Sequence, residues 1–430
     1  MTRLDPVKTP CSTLCTALEA SGLEILCNTG LNYRAMSLPE LPDFISPEFL
    51  DRHIKSILSF YEPNVRASDG GFHQCFRDDG SVYDSGVRHL VSSTRFVFNY
   101  ATAYQRYGTS HYLDWAGEGL AFLEREHLQN TGHYAWLIEN GQVSDNRAMA
   151  YGHAFVMLAA ASCVPAGIQP ATAIIDNVWQ FLETYFWDTT AGAYADERDA
   201  SLKILDDYRG QNANMHLCEA LLAAFEATGQ QRFFERAAML AKRFAVDLAS
   251  QSNGLIWEHY DTSWQCDMQY NIDKPDDLFK PWGFQPGHQL EWSKLLMMLY
   301  KHDQQQQWVS RATELYNAAM SRGWDHQHDG LVYGFAPDGR FSDSHKYFWV
   351  HAEAFAAAWR LYKHTGEQRY LDDYQRIWTY SWNTLVDHKQ GAWFRLRKRD
   401  GSAFDNLKSP PGKTDYHTMG ACWDVLSQCP

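Results

Sequence analysis

Tyr208-Arg-Gly-Gln-Asn-Ala-Asn-Met-His216-Leu-Cys-Glu219 runs directly into a small-residue stretch, Ala220 to Ala227. Together they read as the opening of a helix that is apolar nearly all round, with His216 and Glu219 one turn apart on one face. A second helix opens the same way at Gly287-His288-Gln-Leu-Glu291, after the loop Pro281-Trp-Gly-Phe-Gln-Pro286. Two His-x-x-Glu pairs at two helix starts predict one shared polar site, provided the chain brings the two starts together.

The surrounding sequence repeats itself. A glycine followed closely by an aromatic recurs as Gly71-Phe72, Gly132-His-Tyr134, Gly192-Ala-Tyr194, Gly254-Leu-Ile-Trp257, Gly330-Leu-Val-Tyr333 and Gly391-Ala-Trp393, at intervals of 61, 60, 62, 76 and 61 residues. A period near sixty exceeds that of the common solenoids and suits two helices plus a short extended segment. The first helical pattern of each interval is apolar and rich in small residues, as in Ala148 to Ala161; the second is amphipathic, as in Phe233, Ala237, Leu240 and Phe244 against Arg232, Glu235, Arg236 and Arg243. The first kind is buried on both sides and the second faces water. Tyr107-Gly-Thr-Ser-His-Tyr-Leu, Thr228-Gly-Gln-Gln-Arg-Phe-Phe and Thr365-Gly-Glu-Gln-Arg-Tyr-Leu mark the turns between them.

Six inner helices are predicted over about 87–106, 147–163, 212–228, 286–302, 346–364 and 415–428, and five outer ones near 110–127, 170–186, 231–249, 306–322 and 367–386. The sixth outer helix starts at Pro47, with Ser46 as its cap and Glu48 in its first turn. Twelve helices close into a ring: the fold class is all-α, an (α/α)6 barrel, spanning residues 41–430 as a single catalytic domain. Residues 1–40 carry no sustained helical stripe and are expected to be a poorly ordered extension, with Met36 before Pro39-Glu-Leu-Pro as an alternative start. The long fourth interval contains a polar loop, Asp267 to Lys280, expected to overhang the ring's mouth.

Composition narrows the function classes. Hydrophobic content of 45% and aromatic content of 14% supply a large core, while a net charge of -14 without basic runs argues against nucleic acid as a partner. No apolar run reaches the roughly 18–20 residues of a membrane span. The start, Met1-Thr-Arg-Leu-Asp-Pro-Val-Lys, lacks a signal peptide's apolar core, so a cytoplasmic location is expected. The 9 cysteines are odd in number and mostly stand singly in helical patterns, and Cys11, Cys15 and Cys27 lack a fourth zinc ligand nearby.

Because every inner helix follows a glycine–aromatic segment, all six start at one end of the ring and their first turns converge. They carry Arg95, His153, His216 with Glu219, His288 with Glu291, His351 and Glu353, which are two apart and point in different directions so that only one is expected to face the lumen, and His417. Taken singly, each histidine is more often a satisfied core or rim residue than a catalyst; as a set, titratable groups on all six staves of an apolar wall point to a site. Phe348, Trp349, Trp282 and Trp393 are candidate sugar platforms or core residues. A catalytic metal is the rival chemistry, but the di-iron order Glu-x-x-His is reversed here and no HExxH occurs. Without a metal, histidines suit removal and return of a proton beside a carbonyl, with an arginine holding the enediolate oxygens and each Glu orienting the His one turn away.

Tyr208 to His216 with Glu219, Pro286-Gly-His-Gln-Leu-Glu-Trp292, Trp349-Val-His-Ala-Glu-Ala354, Ser93-Thr-Arg95 and Tyr416-His417 resemble the N-acylglucosamine 2-epimerase superfamily, specifically its bacterial aldose–ketose isomerases acting on mannose or sulfoquinovose. The resemblance covers roughly residues 47–425. It implies an (α/α)6 barrel working without a required metal or other cofactor on a free monosaccharide, with D-mannose and D-fructose as the leading pair. It further implies that His288 and His417 are the acid/base pair. Arg95 would bind the enediolate; His216, Glu291 and Glu353 would orient sugar and histidines; Asn212 and Trp349 would line the substrate. His351 stands where the family carries an aliphatic residue and inherits no role. Sugar 2-epimerisation and sulfosugar isomerisation are the near alternatives. An (α/α)6 glycoside hydrolase is the rival from another class, with Asp145, Asp207 and Asp277 as its available carboxylates; a non-catalytic sugar-binding ring is the third. The oligomeric state stays open.

Overall fold

The structure is a computed structural model and describes residues 41–429. The extension expected over residues 1–40, with Met36 and Cys11, Cys15 and Cys27, lies outside the described residues.

Twelve α-helices occur among the described residues: α1 Pro47–Tyr61, α2 Leu90–Tyr107, α3 Ser110–Phe122, α4 Ala150–Cys163, α5 Ala171–Tyr185, α6 Gln211–Thr228, α7 Gln231–Lys242, α8 Pro286–Asp303, α9 Gln306–Gly323, α10 Phe348–Thr365, α11 Gln368–Thr384 and α12 Tyr416–Leu426. The even-numbered helices pack side by side, and α12 touches both α10 and α2, which closes the ring. Each odd-numbered helix packs outside its partner, α1 serving α12. This is the (α/α)6 barrel read from the repeats. Burial follows the two sequence patterns: α4 buries Ala150 and every residue from Gly152 to Cys163, whereas α7 buries only Phe233, Phe234, Ala237, Leu240 and Ala241. Five helix boundaries differ from expectation, two at the ends of outer helices and three at the starts of inner ones. Outer helices α3 and α7 pass into π-helical turns at Leu123–His127 and Arg243–Leu248. The inner helices expected from 87, 147 and 346 begin two or three residues later, because Val87–His89, Ala148–Met149 and Lys346–Tyr347 are extended and pair with strands of the following repeat.

The recurring glycines turn the chain from outer helix to inner helix. Gly132, Gly192, Gly254, Gly330 and Gly391 lie at φ between +67° and +89°, a region that costs other residues about 1 kcal/mol or more. The chain then folds back on the end of the outer helix, as in the pairings of Leu128 with Tyr134 and Trp324 with Leu331. One amide of each returning segment points at the next inner helix, which supplies an acceptor. His153 Nε2 accepts from Tyr134 N (3.3 Å), Asn214 Oδ1 from Tyr194 N (2.8 Å), Gln289 Oε1 from Ile256 N (3.0 Å), His351 Nε2 from Leu331 N (2.9 Å) and Asp415 Oδ1 from Trp393 N (3.3 Å).

His153 therefore does not face the mouth, contrary to the reading that counted it among its titratable groups, and of the pair His351 and Glu353 it is His351 that turns away. His153 and His351 each donate through Nδ1 to the carbonyl four residues back, Met149 or Tyr347, and are fully buried. Two candidate platforms are also structural. Trp393 is fully buried and donates to His53 Nε2 (2.7 Å), and Trp282 donates to Met268 O (2.8 Å).

Burial pushes the imidazoles of His153 and His53 down to about 4 and those of His351 and His89 to about 3. Their unfolded value is 6.5, so below that pH the unfolded chain binds protons the folded chain refuses. The stability is fully present above pH 6.5 and is lost as pH falls towards 4, with a slope approaching about 1.4 kcal/mol per pH unit for each group. Urea unfolding at a series of pH values is expected to show this loss. His351→Ala is expected to cost about 1–3 kcal/mol at pH 7.5 by orphaning the Leu331 amide, and to flatten the acid slope.

Candidate active site

The first turns of the inner helices enclose a cavity of about 90 Å³, lined by Arg95, Asn212, His216, His288, Glu291, Trp349 and His417 among others. Residues predicted on five staves thus meet at one place. Beyond them the lumen widens into a second cavity of about 520 Å³ that reaches the far end of the ring, and His417 lines both. Depth along the ring follows helical rise: a step of three residues is about 4.5 Å. On α8, His288 and Glu291 face the front cavity while Lys294 opens to the rear one, and on α6 His216 is in front and Glu219 behind.

Both candidate catalytic imidazoles are held by a carboxylate on Nδ1. His417 Nδ1 lies 2.8 Å from Glu353 Oε1, and His288 Nδ1 lies 2.9 Å from Glu258 Oε2. A carboxylate only accepts, so Nδ1 carries the proton and Nε2 keeps its lone pair for the cavity. Gln211 packs against the second pair: its Oε1 accepts from Trp292 Nε1 (2.8 Å), which turns its Nε2 to donate to Glu258 Oε2 (2.8 Å), with the same nitrogen 2.9 Å from His288 Nδ1. Burial first, and then the Arg95 guanidinium, push the His417 imidazole well below the usual histidine range, so it is neutral at neutral pH.

Glu258 was missed by the sequence reading, which assigned Glu291 as the partner of His288. Side chains on a helix tilt towards its N-terminus, and His288 reaches back to the entry segment that carries Glu258. Glu291 instead turns across the lumen to within 3.7 Å of His216 Nδ1 and makes no hydrogen bond. The other His-x-x-Glu pair forms as expected, His216 Nδ1 lying 3.1 Å from Glu219 Oε2. Glu353 lies behind His417 and does not line the front cavity.

Arg95 bridges the front wall. Its guanidinium donates to Gly412 O (2.5 Å) and Tyr151 Oη (3.3 Å), stands 3.4 Å from His417 Nε2, and packs over the rings of Phe155 and Tyr416. Trp349 lies against both histidines, its ring centre 5.1 Å from His288 and 5.6 Å from His417. Asn212 Oδ1 is buried without a partner, an open acceptor on the wall. Leu278 and Phe279 of the long loop close one side, as the overhang predicted, and Tyr151, Arg395 and Lys413 are lining residues the sequence reading did not pick out.

Three carboxyl groups, those of Glu353, Glu219 and Glu291, surround Lys294, whose Nζ lies 2.5 Å from Glu353 and 3.9 Å from Glu219. Burial alone would lower this lysine, but Glu353 and Glu219 outweigh it and hold it above the usual lysine range. Burial raises Glu219 too, yet His216 and Lys294 more than offset it and keep that carboxyl ionised. Glu291 has no such partner: burial, then the neighbouring Glu353 charge, push it well above the carboxylate range, and it holds a proton. The sets His216, Glu219, Glu291 and Glu291, Glu353, His417 are dense enough to ligate a metal; Lys294 already supplies positive charge between two of these carboxylates.

With this geometry in view, comparison with known proteins is decisive for the family. The N-acylglucosamine 2-epimerase (GlcNAc 2-epimerase) profile matches residues 70–421. The chain belongs to this family. Within it, the chain is 47% identical over 386 residues to a D-mannose isomerase of Marinomonas mediterranea, covering 90% of this chain and 98% of the relative. A D-mannose isomerase of Thermobifida fusca is 36% identical, covering 67% of this chain and 70% of the relative. A D-mannose isomerase crystal structure superposes with a TM-score of 0.90 at 46% identity, covering 91% of this chain and all of the other.

In this N-acylglucosamine 2-epimerase family member, the protonated state of Glu291 has a measurable consequence. Glu291→Gln is an isostere of what is already there and is expected to leave the urea midpoint nearly unchanged. Glu219→Gln removes an ionised partner from His216 and Lys294 and is expected to cost about 1–3 kcal/mol.

Proposed function

We propose that the chain is an aldose–ketose isomerase that interconverts D-mannose and D-fructose by proton transfer through a cis-enediol. The observation that carries this reading is the pair of carboxylate-held imidazoles, His288 on Glu258 and His417 on Glu353, presenting Nε2 to one cavity beside Arg95. The D-mannose isomerase relatives that span nearly the whole chain support it.

In this reading His288 opens the sugar ring, exchanging a proton between the ring oxygen and the anomeric hydroxyl. His417 then takes the proton from C2 of the open aldose. The C2 electron pair becomes the C1–C2 double bond, and the carbonyl electrons move to O1, where Arg95 stabilises the charge. Return of the proton to C1, with loss of the O2 proton and protonation of O1, gives the ketose. Hydrogen only moves within the sugar, so the inventory closes without a redox cofactor. Asn212, His216, Glu291 and Trp349 hold and orient the sugar, and Glu353 orients His417.

Glycoside hydrolysis fits poorly. It needs two carboxyl groups flanking a scissile bond, whereas Glu291 is the single carboxyl among the described residues that line the front cavity. Asp145 and Asp277 instead serve turns, accepting from Arg147 N (3.0 Å) and from Phe279 N (3.0 Å) and Lys280 N (2.8 Å). Sugar 2-epimerisation uses the same two imidazoles on opposite faces of C2. Arg395 and Lys413 on the rim are the cationic contacts a sulfosugar isomerase would use.

Incubation with D-mannose and chromatographic product analysis decides between these: fructose as first product is expected, while glucose as first product or no turnover overturns the reading. His417→Ala and His288→Ala are each expected to lose about 10²–10⁴-fold or more in kcat with an unchanged circular dichroism spectrum. Glu258→Ala is expected to follow His288→Ala, and wild-type kcat in that variant would remove Glu258 from the mechanism.

A further inference from the structure

We propose that Lys294 is a positioning residue for His417, acting through Glu353 from the rear cavity of the ring. This rests on the isomerase reading for its kinetic consequence and on geometry for the rest. His417 Nδ1, Glu353 Oε1, Glu353 Oε2 and Lys294 Nζ form one chain of contacts at 2.8 Å and 2.5 Å. His417 can act as a base only if Nε2 is unprotonated, which requires Nδ1–H and hence an accepting, ionised Glu353. Glu353 is 1% exposed, and burial raises its carboxyl above the ordinary range against the opposing pull of Lys294. A protonated Glu353 would donate to Nδ1 and move the imidazole proton to Nε2, the wrong tautomer for removing a proton from carbon. Lys294 is the cation that keeps Glu353 ionised.

The other titratable groups facing this pair come from the neighbouring staves of the ring. From α6 come Glu219 and His216, from α8 the protonated Glu291, and from α2 Arg95, whose guanidinium lies at Nε2 of His417 rather than at Glu353. Tyr416 and Tyr151 are buried phenols held far above their ordinary range or raised by burial, and bring no charge. Arg95 cannot substitute for Lys294, because it meets the opposite nitrogen. Lys294 is nevertheless reachable from solvent: the rear cavity of about 520 Å³ that it lines also borders the exposed Arg106, Glu226 and Ser427 at the far end of the ring.

The test compares Lys294→Met with wild type in three ways. In kinetics on D-mannose, kcat is expected to fall about tenfold to a hundredfold near neutral pH with KM changed less than about threefold. The acid limb of kcat is expected to move up by at least about one pH unit, because Glu353 then ionises only at higher pH. Ethylammonium, small enough to enter from the rear, is expected to restore activity in a saturable way, and Lys294→Arg to keep the wild-type limb. Third, ¹⁵N-histidine NMR of the sugar-free protein is expected to find His417 as the Nδ1–H tautomer in wild type and as Nε2–H in Lys294→Met. If Lys294→Met does not fold, Lys294→Gln is read by the same criteria. A variant that folds, keeps the Nδ1–H tautomer and retains the wild-type acid limb overturns the proposal. The NMR arm needs no substrate, so it stands or falls separately from the isomerase reading, which fails instead if wild type does not turn over mannose.

Discussion

The architecture depends on one small interaction made five times: a backbone amide in the segment entering five of the six inner helices is caught by a side chain from that helix or, at Asp415, from its N-cap. Once the outer helix ends and the left-handed glycine turns the chain, this amide is buried and has no strand partner. An orphaned amide there costs about 1–3 kcal/mol, so a polar acceptor is needed inside an otherwise apolar helix. His153, Asn214, Gln289, His351 and Asp415 are five chemical answers to the same demand. The bond fixes each entry segment against its inner helix, and hence fixes where the following residues point.

That registration builds the site. In an extended segment successive side chains alternate, so the residue two beyond each caught amide faces the same way in every repeat: Trp136, Asp196, Glu258, Tyr333 and Arg395. Trp136 and Asp196 line a side cavity next to the mouth, Tyr333 and Arg395 line the mouth itself, and Glu258 stands under His288. The wall of the site is therefore two-layered, with inner-helix first turns below and this ring of entry-segment side chains above.

The same logic explains what was legible in the sequence. The ring was readable because its determinants are local and repeated: glycine spacing, all-apolar helices alternating with amphipathic ones, and shared turn motifs. Arg95, His216, His288 and His417 were readable as titratable groups on apolar helices. The failures share a cause, since a helical period says which face a residue is on and not what it meets. His153 and His351 share spacing with the site histidines but sit on the face that catches the entry amide. Glu291 has the right spacing for His288 and the wrong direction. Glu258 carried a period-two signal, an acid two residues after Ile256 in a segment otherwise buried, which a helix-based search does not inspect. Lys294 lay one turn past Glu291 in a run of Leu and Met, and an unpaired lysine there has no bland explanation.

The orientation of the ring also bears on the chemistry. All six inner helices begin at the mouth, so the positive ends of their dipoles lie at that end of the ring. Charge in such a place is screened little by water, and each dipole end is worth about 0.3–1 kcal/mol to a nearby anion even when exposed. Such a field favours an anion at the mouth. In the proposed reaction the species that gains most is the enediolate, which exists only between the two neutral sugars. A ring with its inner helices reversed would present carbonyl ends to the mouth and favour cations there. The direction in which the glycine turns admit the chain to the lumen thus places helix N-termini, and not carbonyl ends, at the mouth.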